Sequence, residues 1–522
     1  MSDPNNVVAP PRDDVGTSPL TISGAFARGF GTVAQLIKGH AMSAPDRAAL
    51  IQGELSISFR ALDVLCDRIA ASLQRDGVAQ GDVIAIVSAT TIPAVVAFLG
   101  ALRAGCVPAP IAPSSTPDQL RRMIADCDAM RVFVDSDAAS ILLTDPAKMV
   151  PLAELEHWLV SDGTSPTPVN VEPKDSFNII YSSGTTGTPK GIVQTYAMRW
   201  RQIMSYAMFG MTDSVMMVST PLYSNTTLVS LLPTLALGGT AVLLGKFDAR
   251  RFLELAARER ATHAMLVPVQ YQRIMADPEF ERFDLSSFRL KTCTSAPFSP
   301  ELKADVIERW PGGLLEIYAM TEGGGTCLLP AHDYPTKLHT VGRPAPGNDI
   351  RIIGDDEQEL AVGQIGEIVG RSGMMMKGYH GRPDATDEAA WYDAEGNRFI
   401  RHGDLGRFDE DGFLTLLGRS KDMIISGGFN IYPPDLEIIA SEHPGVADIA
   451  VVGVPSDAWG ETPYAFYVVR NGGVEPAALI AWVNERVGKT QRLSGAEIVS
   501  ELPRNAIGKV LKRELREQAP AA

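Results

Sequence analysis

The stretch Tyr181-Ser-Ser-Gly-Thr-Thr-Gly-Thr-Pro-Lys190 is a small polar loop between two apolar runs. Asn178-Ile-Ile180 leads into it and Gly191-Ile-Val193 follows it, which predicts a strand, a loop and renewed regular structure. It contains two glycines, two serines, three threonines and one lysine, without an acidic side chain. Glycines let the backbone approach an anion closely, while N–H groups, hydroxyls and Lys190 supply donors and charge. A phosphate group is therefore the expected ligand of this loop.

The loop differs from the Walker A phosphate loop, because that pattern requires Ser or Thr after its lysine and here Gly191 follows Lys190. A Gly/Ser/Thr surface turn without a ligand would have a similar composition. The loop taken alone leaves both interpretations open.

Composition and charge limit the class of protein. A chain of 522 residues with 45% hydrophobic content is too long for one core, so at least two domains are expected. The net charge of −15 makes nucleic acid an unfavourable partner. The first residues, to about Pro19, lack the apolar core of a signal peptide or anchor, and no run approaches eighteen apolar residues. A soluble cytoplasmic protein is expected.

The cysteines and histidines predict packing rather than metal chemistry. The five cysteines are widely spaced among apolar or small neighbours, which indicates reduced core residues. No C-x-x-C pair or histidine cluster suggests a transition-metal site. His263 lies within the apolar run Ala261–Val269, a buried-strand pattern, where a core histidine is the expected interpretation.

Alternating elements between Thr32 and Asp137 predict a layered α/β domain. Apolar runs predict strands, and helical periodicity predicts helices between them. The predicted strands are Ala48–Ile51, Val83–Val87, Cys106–Pro110 and Val132–Val134, and the predicted helices are Phe59–Arg75 and Ile92–Ala104.

Five later stretches join the polar loop in resembling one family. They are Lys291-Thr-Cys-Thr-Ser-Ala-Pro297, Glu316-Ile-Tyr-Ala-Met-Thr-Glu322, His402-Gly-Asp-Leu-Gly406, the run from Gly418 to Pro433, and Leu502-Pro-Arg-Asn-Ala-Ile-Gly-Lys509. Together they resemble the adenylate-forming superfamily of AMP-forming acyl-CoA synthetases, luciferases and peptide-synthetase adenylation domains, with similarity to 4-coumarate and fatty-acid CoA ligases. The resemblance covers nearly the whole chain from about Thr32.

The resemblance implies an α/β fold with two domains. A large N-terminal domain over residues 32–419 would combine a layered α/β part with a small β-rich subdomain and would bind AMP and the acyl group. A small, mobile α+β lid over residues 420–522 would follow, with a hinge near Lys421. Residues 1–31 are expected to form a disordered polar segment.

The resemblance also assigns the nucleotide site. Lys509, Thr321 and Glu322 would be catalytic, and Glu322 with Ser182 would hold Mg²⁺. Tyr318 would stack on adenine, Asp404 would accept hydrogen bonds from the ribose, and Arg419 would bridge ribose and phosphate. The full set of expected ATP- and AMP-binding residues is Ser182, Ser183, Gly184, Thr185, Thr186, Lys190, Ser295, Ala296, Glu316, Ile317, Tyr318, Thr321, Asp404, Arg419, Asn430 and Lys509.

The expected acyl contacts are Tyr223, Ser224, Asn225, Thr226, Ala319 and Gly323, and the expected CoA contacts are Lys421, Gly427 and Gly428. Ser224 departs from the family, which has histidine at this position. Two interpretations of the polar run stay open. It forms a polar wall facing the acid, or it is a hydrophilic turn that opens a helix at Leu228, with Ser or Thr capping that helix.

The expected reaction activates a monocarboxylic acid with ATP to an acyl-adenylate and transfers the acyl group to CoA. Mg²⁺, ATP and CoA would be the cofactors and substrates. A monocarboxylate is favoured because neither Tyr223–Thr227 nor Ala319–Cys327 contains Arg or Lys. Three alternative functions stay open. The first is a stand-alone ligase that loads a carrier protein. The second, an amino-acid adenylation enzyme, would need Asp in place of Ser224, and the third, a non-catalytic relative, would lack Lys509 or Glu322. The expected partners are a small carboxylic acid and CoA, without nucleic acid or a membrane span; a homodimer stays open.

Overall fold

The computed structural model describes residues 19–141, 148–182, 189–426, 429–456, 459–470, 472–505 and 508–520. The chain divides into two compact units. Unit 1 comprises Met1–Leu338, Ala345–Asp349 and Arg371–Ile400, and unit 2 comprises His339–Pro344, Ile350–Gly370 and Arg401–Ala522.

The elements up to residue 330 belong to unit 1. The helices are α1 (Ile22–Arg28), α2 (Val33–Ser43), α3 (Phe59–Arg75), α4 (Ile92–Arg103), α5 (Pro117–Asp126), α6 (Ser136–Ile141), α7 (Leu155–Trp158), α8 (Tyr196–Tyr206), α9 (Asn225–Ala236), α10 (Ala249–Arg258), α11 (Pro268–Met275) and α12 (Pro300–Arg309). The strands are β1 (Ala48–Gln52), β2 (Leu55–Ser58), β3 (Val83–Val87), β4 (Val107–Ile111), β5 (Arg131–Val134), β6 (Met149–Pro151), β7 (Ser176–Ser182), β8 (Lys190–Thr195), β9 (Val215–Val218), β10 (Thr240–Leu243), β11 (His263–Leu266), β12 (Leu290–Cys293), β13 (Gly313–Ala319) and β14 (Thr326–Pro330).

The later elements follow in chain order. They are β15 (Arg343–Pro344), β16 (Asp349–Ile353), β17 (Gly366–Arg371), β18 (Gly378–Tyr379), α13 (Pro383–Glu388), β19 (Ala390–Tyr392), β20 (Arg398–Phe408), β21 (Leu414–Arg419), β22 (Ile424–Ser426), β23 (Phe429–Ile431), α14 (Pro433–Ser441), β24 (Val446–Ser456), β25 (Gly460–Val469), α15 (Pro476–Asn484), β26 (Gly495–Ile498) and α16 (Lys512–Gln518).

The largest sheet of unit 1 orders its strands β14-β13-β12-β11-β9-β10-β1-β2. The pairings from β13 to β1 are parallel, and the pairings with β14 and β2 are antiparallel. A second, parallel sheet has the order β4-β3-β5-β6, and an antiparallel one has the order β18-β8-β7. Parallel strands buried by helices on their faces are typical of layered α/β domains, so the predicted fold class is confirmed.

Two cores stabilise the largest sheet. One contains buried leucines of α2, α3, α4 and α9, including Leu36 and Leu231. The other surrounds Trp310, whose ring centroid lies 5.1 Å from that of Phe288 and 5.9 Å from that of Phe252. All five cysteines are buried and unpaired, as expected.

Unit 2 contains two sheets. One pairs β16 with β17, β17 with β20, and β20 with β21. The other has the order β23-β22-β25-β24 with β26 parallel to β25, and α14 and α15 cover it through Leu436, Leu479 and Val483. The predicted hinge residue Lys421 lies inside this unit, in a short 3-10 turn over Ser420–Asp422.

Most predicted element bounds agree with the structure to within a residue. Phe59–Arg75 and Val83–Val87 are confirmed at both ends. The strand predicted over Ala261–Val269 is wrong at its end, because β11 stops at Leu266 and Pro268 starts α11, where proline fits the first helical turn. The prediction of disorder over residues 1–31 is wrong for the last part of this range, because Thr21 caps helix α1 there. Residues 1–18 lie outside the described part.

Candidate active site

Three of the predicted site segments follow neighbouring parallel strands of the largest sheet. Tyr223–Thr227 come after β9, Ser295 and Ala296 after β12, and Thr321–Gly323 after β13. These strands lie in the order β13-β12-β11-β9, so their carboxyl ends meet at one sheet edge. Ligands of open α/β sheets bind at this edge. The acyl, adenine and metal segments predicted from sequence are therefore gathered at one place in unit 1.

The two strands on either side of the polar loop, β7 and β8, form an antiparallel hairpin of the same unit. Ser182 at the end of β7 pairs with Lys190 at the start of β8. Ser183, Gly184, Thr185 and Thr186 lie outside the described residues, as does the side chain of Ser182, so their predicted phosphate and metal contacts stay predictions. The Lys190 ammonium lies 5.0 Å from the centre of the Tyr379 ring, within the range of a cation–π contact.

Tyr379 connects the loop lysine to the predicted metal carboxylate. Strand β18 pairs with β8, with Tyr379 opposite Ile192, which brings the ring beside Lys190. The Tyr379 hydroxyl donates to Glu322 Oε1 at 3.0 Å. Burial, reinforced by the Glu322 charge, raises the pKa of Tyr379, so the hydroxyl remains a donor at neutral pH. No sequence motif predicted a role for Tyr379 in the site.

The turn after β13 holds Glu322 in a fixed position. Met376 N–H donates to the Glu322 carbonyl at 2.7 Å, and the Ser372 hydroxyl donates to the Gly323 carbonyl at 2.7 Å. Gly323 has a φ of +77°, and a Cβ there would lie 1.8 Å from the Met374 carbonyl oxygen. The position therefore requires glycine for backbone reasons. Its predicted contact with the acyl group stays a prediction.

The donor set around Glu322 fits a magnesium ion that is shared with phosphates. Within the described residues, no group of three or more His, Cys, Asp and Glu side chains could hold a metal by itself. Mg²⁺ commonly uses one or two protein carboxylates and takes its other ligands from water and substrate phosphates. A single carboxylate beside a lysine that can bind phosphate suits this ion.

The acyl segment is connected to neighbouring segments by hydrogen bonds. Ser224 Oγ accepts from Thr226 N–H at 3.2 Å and caps α9, so the helix-cap interpretation is confirmed for this residue, although the helix begins at Asn225 and not at the predicted Leu228. Asn225 Oδ1 accepts from Arg199 Nη2 at 2.7 Å. The Thr226 and Ser295 hydroxyls lie 2.8 Å apart. Tyr223 is half-buried. The polar side chains thus have protein partners already, and any bond to the acid would be additional.

Ser295 has an unusual backbone conformation. Its φ of +80° lies in the left-handed region. This region costs an L-residue about 1–2 kcal/mol, and such residues cluster at functional sites. The hydrogen bond with Thr226 helps to hold Ser295 there and connects the predicted adenine segment to the acyl segment.

The predicted nucleotide residues on β13 differ in exposure. Glu316 is 4% exposed, and its carboxylate forms an ion pair with the buried Lys303. Burial raises the pKa of Glu316 to about 7, and the Lys303 charge opposes this shift. A nucleotide contact from Glu316 would therefore come from its backbone. Ile317 and Tyr318 are half-buried and Ala319 is exposed, which leaves these three accessible to a ligand.

Unit 2 gathers the remaining predicted nucleotide residues. Asp404 and Arg419 are cross-strand partners, and Asp404 Oδ1 lies 2.8 Å from Arg419 Nε. Arg419 also donates to the His402 carbonyl at 3.1 Å, which fixes its side chain. Exposed Asn430 lies on β23. Gly427 and Gly428, predicted to meet CoA, lie outside the described residues.

Lys509 lies among charged residues of unit 2. Desolvation, followed by the repulsion of Arg419, lowers the pKa of Lys509 to about 8, while Asp404 opposes this shift. The residue as a whole is nevertheless exposed. Desolvation also lowers the pKa of Lys421. Asp404, Arg419 and Lys421 thus lie close enough to Lys509 to influence its charge, and the nucleotide and CoA contacts expected of these residues stay predictions.

Comparison with known proteins identifies the family of the chain. The family model of the AMP-binding enzymes matches residues 37–380, and the model of the AMP-binding enzyme C-terminal domain matches residues 435–509. An indoleacetate–CoA ligase of Aromatoleum aromaticum is 30% identical, over 93% of this chain and 98% of its own. A feruloyl-CoA synthase of Amycolatopsis sp. is 31% identical, over 91% of this chain and 96% of its own.

A solved structure is similar over the same length. ATP-bound MatB from Rhodopseudomonas palustris superposes with a TM-score of 0.83 at 29% identity, covering 93% of this chain and 98% of that one. The chain therefore belongs to the family of AMP-binding, adenylate-forming enzymes. Within this family it is a ligase of the AMP-forming acyl-CoA synthetase class. No helix among the described residues is both long and apolar enough to cross a membrane.

Proposed function

We propose that this enzyme converts a monocarboxylic acid, ATP and CoA into acyl-CoA, AMP and pyrophosphate. The observation that carries the proposal is the arrangement of Lys190, Tyr379 and Glu322. A lysine from the polar loop and a carboxylate suited to Mg²⁺ contact the same tyrosine, at 5.0 Å from its ring centre and 3.0 Å from its hydroxyl. Such an arrangement is suited to a magnesium-bound triphosphate.

In the first half-reaction a carboxylate oxygen of the acid attacks the α-phosphorus of ATP. The bond to the bridging oxygen breaks, and pyrophosphate leaves. Glu322, with Ser182, would hold Mg²⁺, which neutralises phosphate charge when it is bound. Lys190, Thr321 and Lys509 would stabilise the charge that develops on the phosphoryl oxygens, and Asp404 would hold the ribose.

In the second half-reaction the thiol of CoA attacks the acyl carbonyl, and AMP leaves. We propose that residues 420–522 act as a lid that rotates about Lys421 between the half-reactions. This would withdraw Lys509 and present Gly427 and Gly428 to the acceptor. The location of Lys421 in a short turn between β21 and β22 supports a hinge there.

We propose an oxygenated aromatic monocarboxylate as the acid. The relatives named for indoleacetate and ferulate take aromatic acids by their names, which supports the aromatic class. The hydroxyl of Thr226 supplies a donor or acceptor at the acyl segment. Arg199, which the sequence analysis did not include, also reaches this segment, but it hydrogen-bonds to amide oxygens.

Two assays test the proposal on the full-length enzyme. Pyrophosphate exchange into ATP, without thiol, is measured over a panel of aromatic, aliphatic and dicarboxylic acids. Exchange should require an acid and Mg²⁺ and should be fastest with ring-hydroxylated aromatic monocarboxylates. AMP release is then compared with CoA and with a phosphopantetheinylated carrier protein as acceptors. Faster transfer to the carrier protein than to CoA would favour the alternative function, a carrier-loading ligase. The absence of exchange with every acid would refute adenylation.

A further inference from the structure

Arg199 on α8 is a buried cation whose contacts are neutral. It is 1% exposed. Its guanidinium donates to the side-chain oxygens of four amides, namely Asn178 at 3.1 Å, Gln202 at 2.7 Å, Asn225 at 2.7 Å and Gln194 in a short contact. No ion pair within the described residues includes it. Burying a charge without an opposite charge is costly unless several hydrogen bonds satisfy it.

The guanidinium fixes the orientation of Gln194. The Gln194 side-chain oxygen accepts from Arg199, so the amide nitrogen faces the other way. This nitrogen donates to the Thr321 carbonyl oxygen at 3.0 Å. Because Thr321 precedes Glu322, Arg199 is connected through one amide to the segment that would bind phosphate and Mg²⁺.

The same guanidinium fixes the acyl segment. Asn225 is the first residue of α9 and accepts from Arg199 Nη2, the nitrogen that also donates to Gln194. The Gln194 nitrogen lies 3.4 Å from the same Asn225 oxygen. Arg199, Gln194 and Asn225 therefore form one buried network between the acyl segment and the phosphate segment.

We propose that Arg199 is a positioning residue for adenylation, which holds Tyr223–Thr227 and Thr321–Glu322 in one fixed relation. The inference rests on the proposed function, because the relation matters only if the carboxylate of the acid must meet the α-phosphate. Misplacement of reacting groups by about 1 Å can slow a reaction on the order of a hundredfold. Arg199 acts through its amide partners and makes no contact with the acid.

Variants of the network separate positioning from folding. Gln194→Glu keeps an acceptor for Arg199 but removes the donor to the Thr321 carbonyl, and Arg199→Met removes the centre of the network. Gln202→Leu is the matched control, because Gln202 accepts from the same guanidinium but touches neither segment in this network. Pyrophosphate exchange with one aromatic acid and one dicarboxylic acid gives kcat and KM for each, and Tm without ligands gives stability.

We expect Gln194→Glu to lower kcat about tenfold or more while its Tm stays at or above that of the wild type, since a carboxylate now pairs with Arg199. Arg199→Met should lower kcat about ten- to a hundredfold, and adding the uncharged Gln194→Met to it should cost little more, because the two act through one chain of contacts. Arg199→Lys should recover part of the loss. Gln202→Leu should stay within about threefold of the wild type.

Three results would overturn the inference. Gln194→Glu could keep the kcat of the wild type. Arg199→Met could lose Tm alone, which would make the residue structural. It could also lose activity only with dicarboxylic acids, which would make Arg199 a binding residue for a second anionic group. If the wild type catalyses no exchange, the proposed function fails. The rise in Tm on adding ATP then tests whether Arg199 positions the phosphate segment. In that test Gln194→Glu must reduce the rise and Gln202→Leu must not.

Discussion

Lys509 is the residue whose substitution best separates the two half-reactions. Replacing it by alanine removes a cation from the step in which charge develops on the phosphate, so adenylation should fall about a hundredfold or more. Transfer to CoA from supplied acyl-adenylate should survive. Lys512→Ala is the matched control, since Lys512 pairs with Glu437 at 2.7 Å, and it should change neither step by more than about threefold. Equal loss of both half-reactions in Lys509→Ala would contradict its role.

The pH dependence of adenylation follows from the same side chain. The pKa of Lys509 is lowered to about 8, so the ammonium is charged below this pH and loses its proton as the pH rises through it. Pyrophosphate exchange in the wild type should therefore fall between about pH 7 and pH 9, as the charged fraction of Lys509 declines. Transfer from supplied acyl-adenylate, measured at the same pH values, provides the comparison. A shared fall in both reactions would show that another group titrates.

Thr226 tests whether the acyl segment recognises oxygen on the acid. Thr226→Val keeps the shape but removes the hydroxyl, so the preference in kcat/KM for a ring-hydroxylated acid over its unsubstituted analogue should fall about tenfold or more. Ser295→Ala breaks the same 2.8 Å contact from the other side and should slow all acids alike. If Thr226→Val keeps the preference for the ring-hydroxylated acid, the Thr226 hydroxyl does not recognise the acid and only hydrogen-bonds to Ser295. Asn225→Leu is a poorer test, because it also removes a partner of Arg199.

At the scale of elements, the turn between β21 and β22 is the predicted hinge. Lys421→Pro fixes φ within Ser420–Asp422 and should arrest rotation of the lid. Adenylation should persist while transfer to CoA falls about a hundredfold. Lys421→Ala removes the charge but leaves φ free, so it should raise KM for CoA without abolishing transfer. Full turnover in the proline variant would show that no rotation about this residue is needed.

The elements were predictable where sequence periodicity is strong. Helix α3 and strand β3 were found at both ends, because amphipathic and fully apolar patterns are local signals. The end of β11 was missed because Val267 continues the apolar run, whereas Pro268 starts a helix. Helix α1 was missed because the segment is short and its cap, Thr21, lies in a polar stretch.

At the scale of the whole molecule, the family motifs predicted the residues of the candidate site but not the contacts that connect them. Local patterns marked Lys190, Glu322, Asp404 and Lys509. Tyr379 acts through a pairing between β18 and β8, which are far apart in sequence. Arg199 was missed for a similar reason, since its partners come from two strands and two helices. Such contacts depend on the tertiary structure, and a single sequence does not contain them.

The predicted domain boundary and the compact units also differ in what they describe. Family likeness placed the boundary at residue 419 with the hinge after it. Unit 2 begins earlier, because it includes His339–Pro344, Ile350–Gly370 and the whole chain from Arg401 onward. The compact units describe how the chain packs in one conformation. The lid is a proposal about motion, and the Lys421 variants test it.

Because the five cysteines are buried, their reaction with a thiol reagent can report local opening of the enzyme without any introduced label. All five lie in unit 1, and burial raises the pKa of each thiol, to about 12 for Cys66, Cys106 and Cys127. A chromophoric thiol reagent should therefore leave the native protein almost unlabelled, and its slow reaction should time the opening of unit 1 alone. Rapid labelling of the native protein would contradict this. A cysteine introduced at an exposed position of unit 2, such as Ile438, would label at once and so mark the second unit selectively.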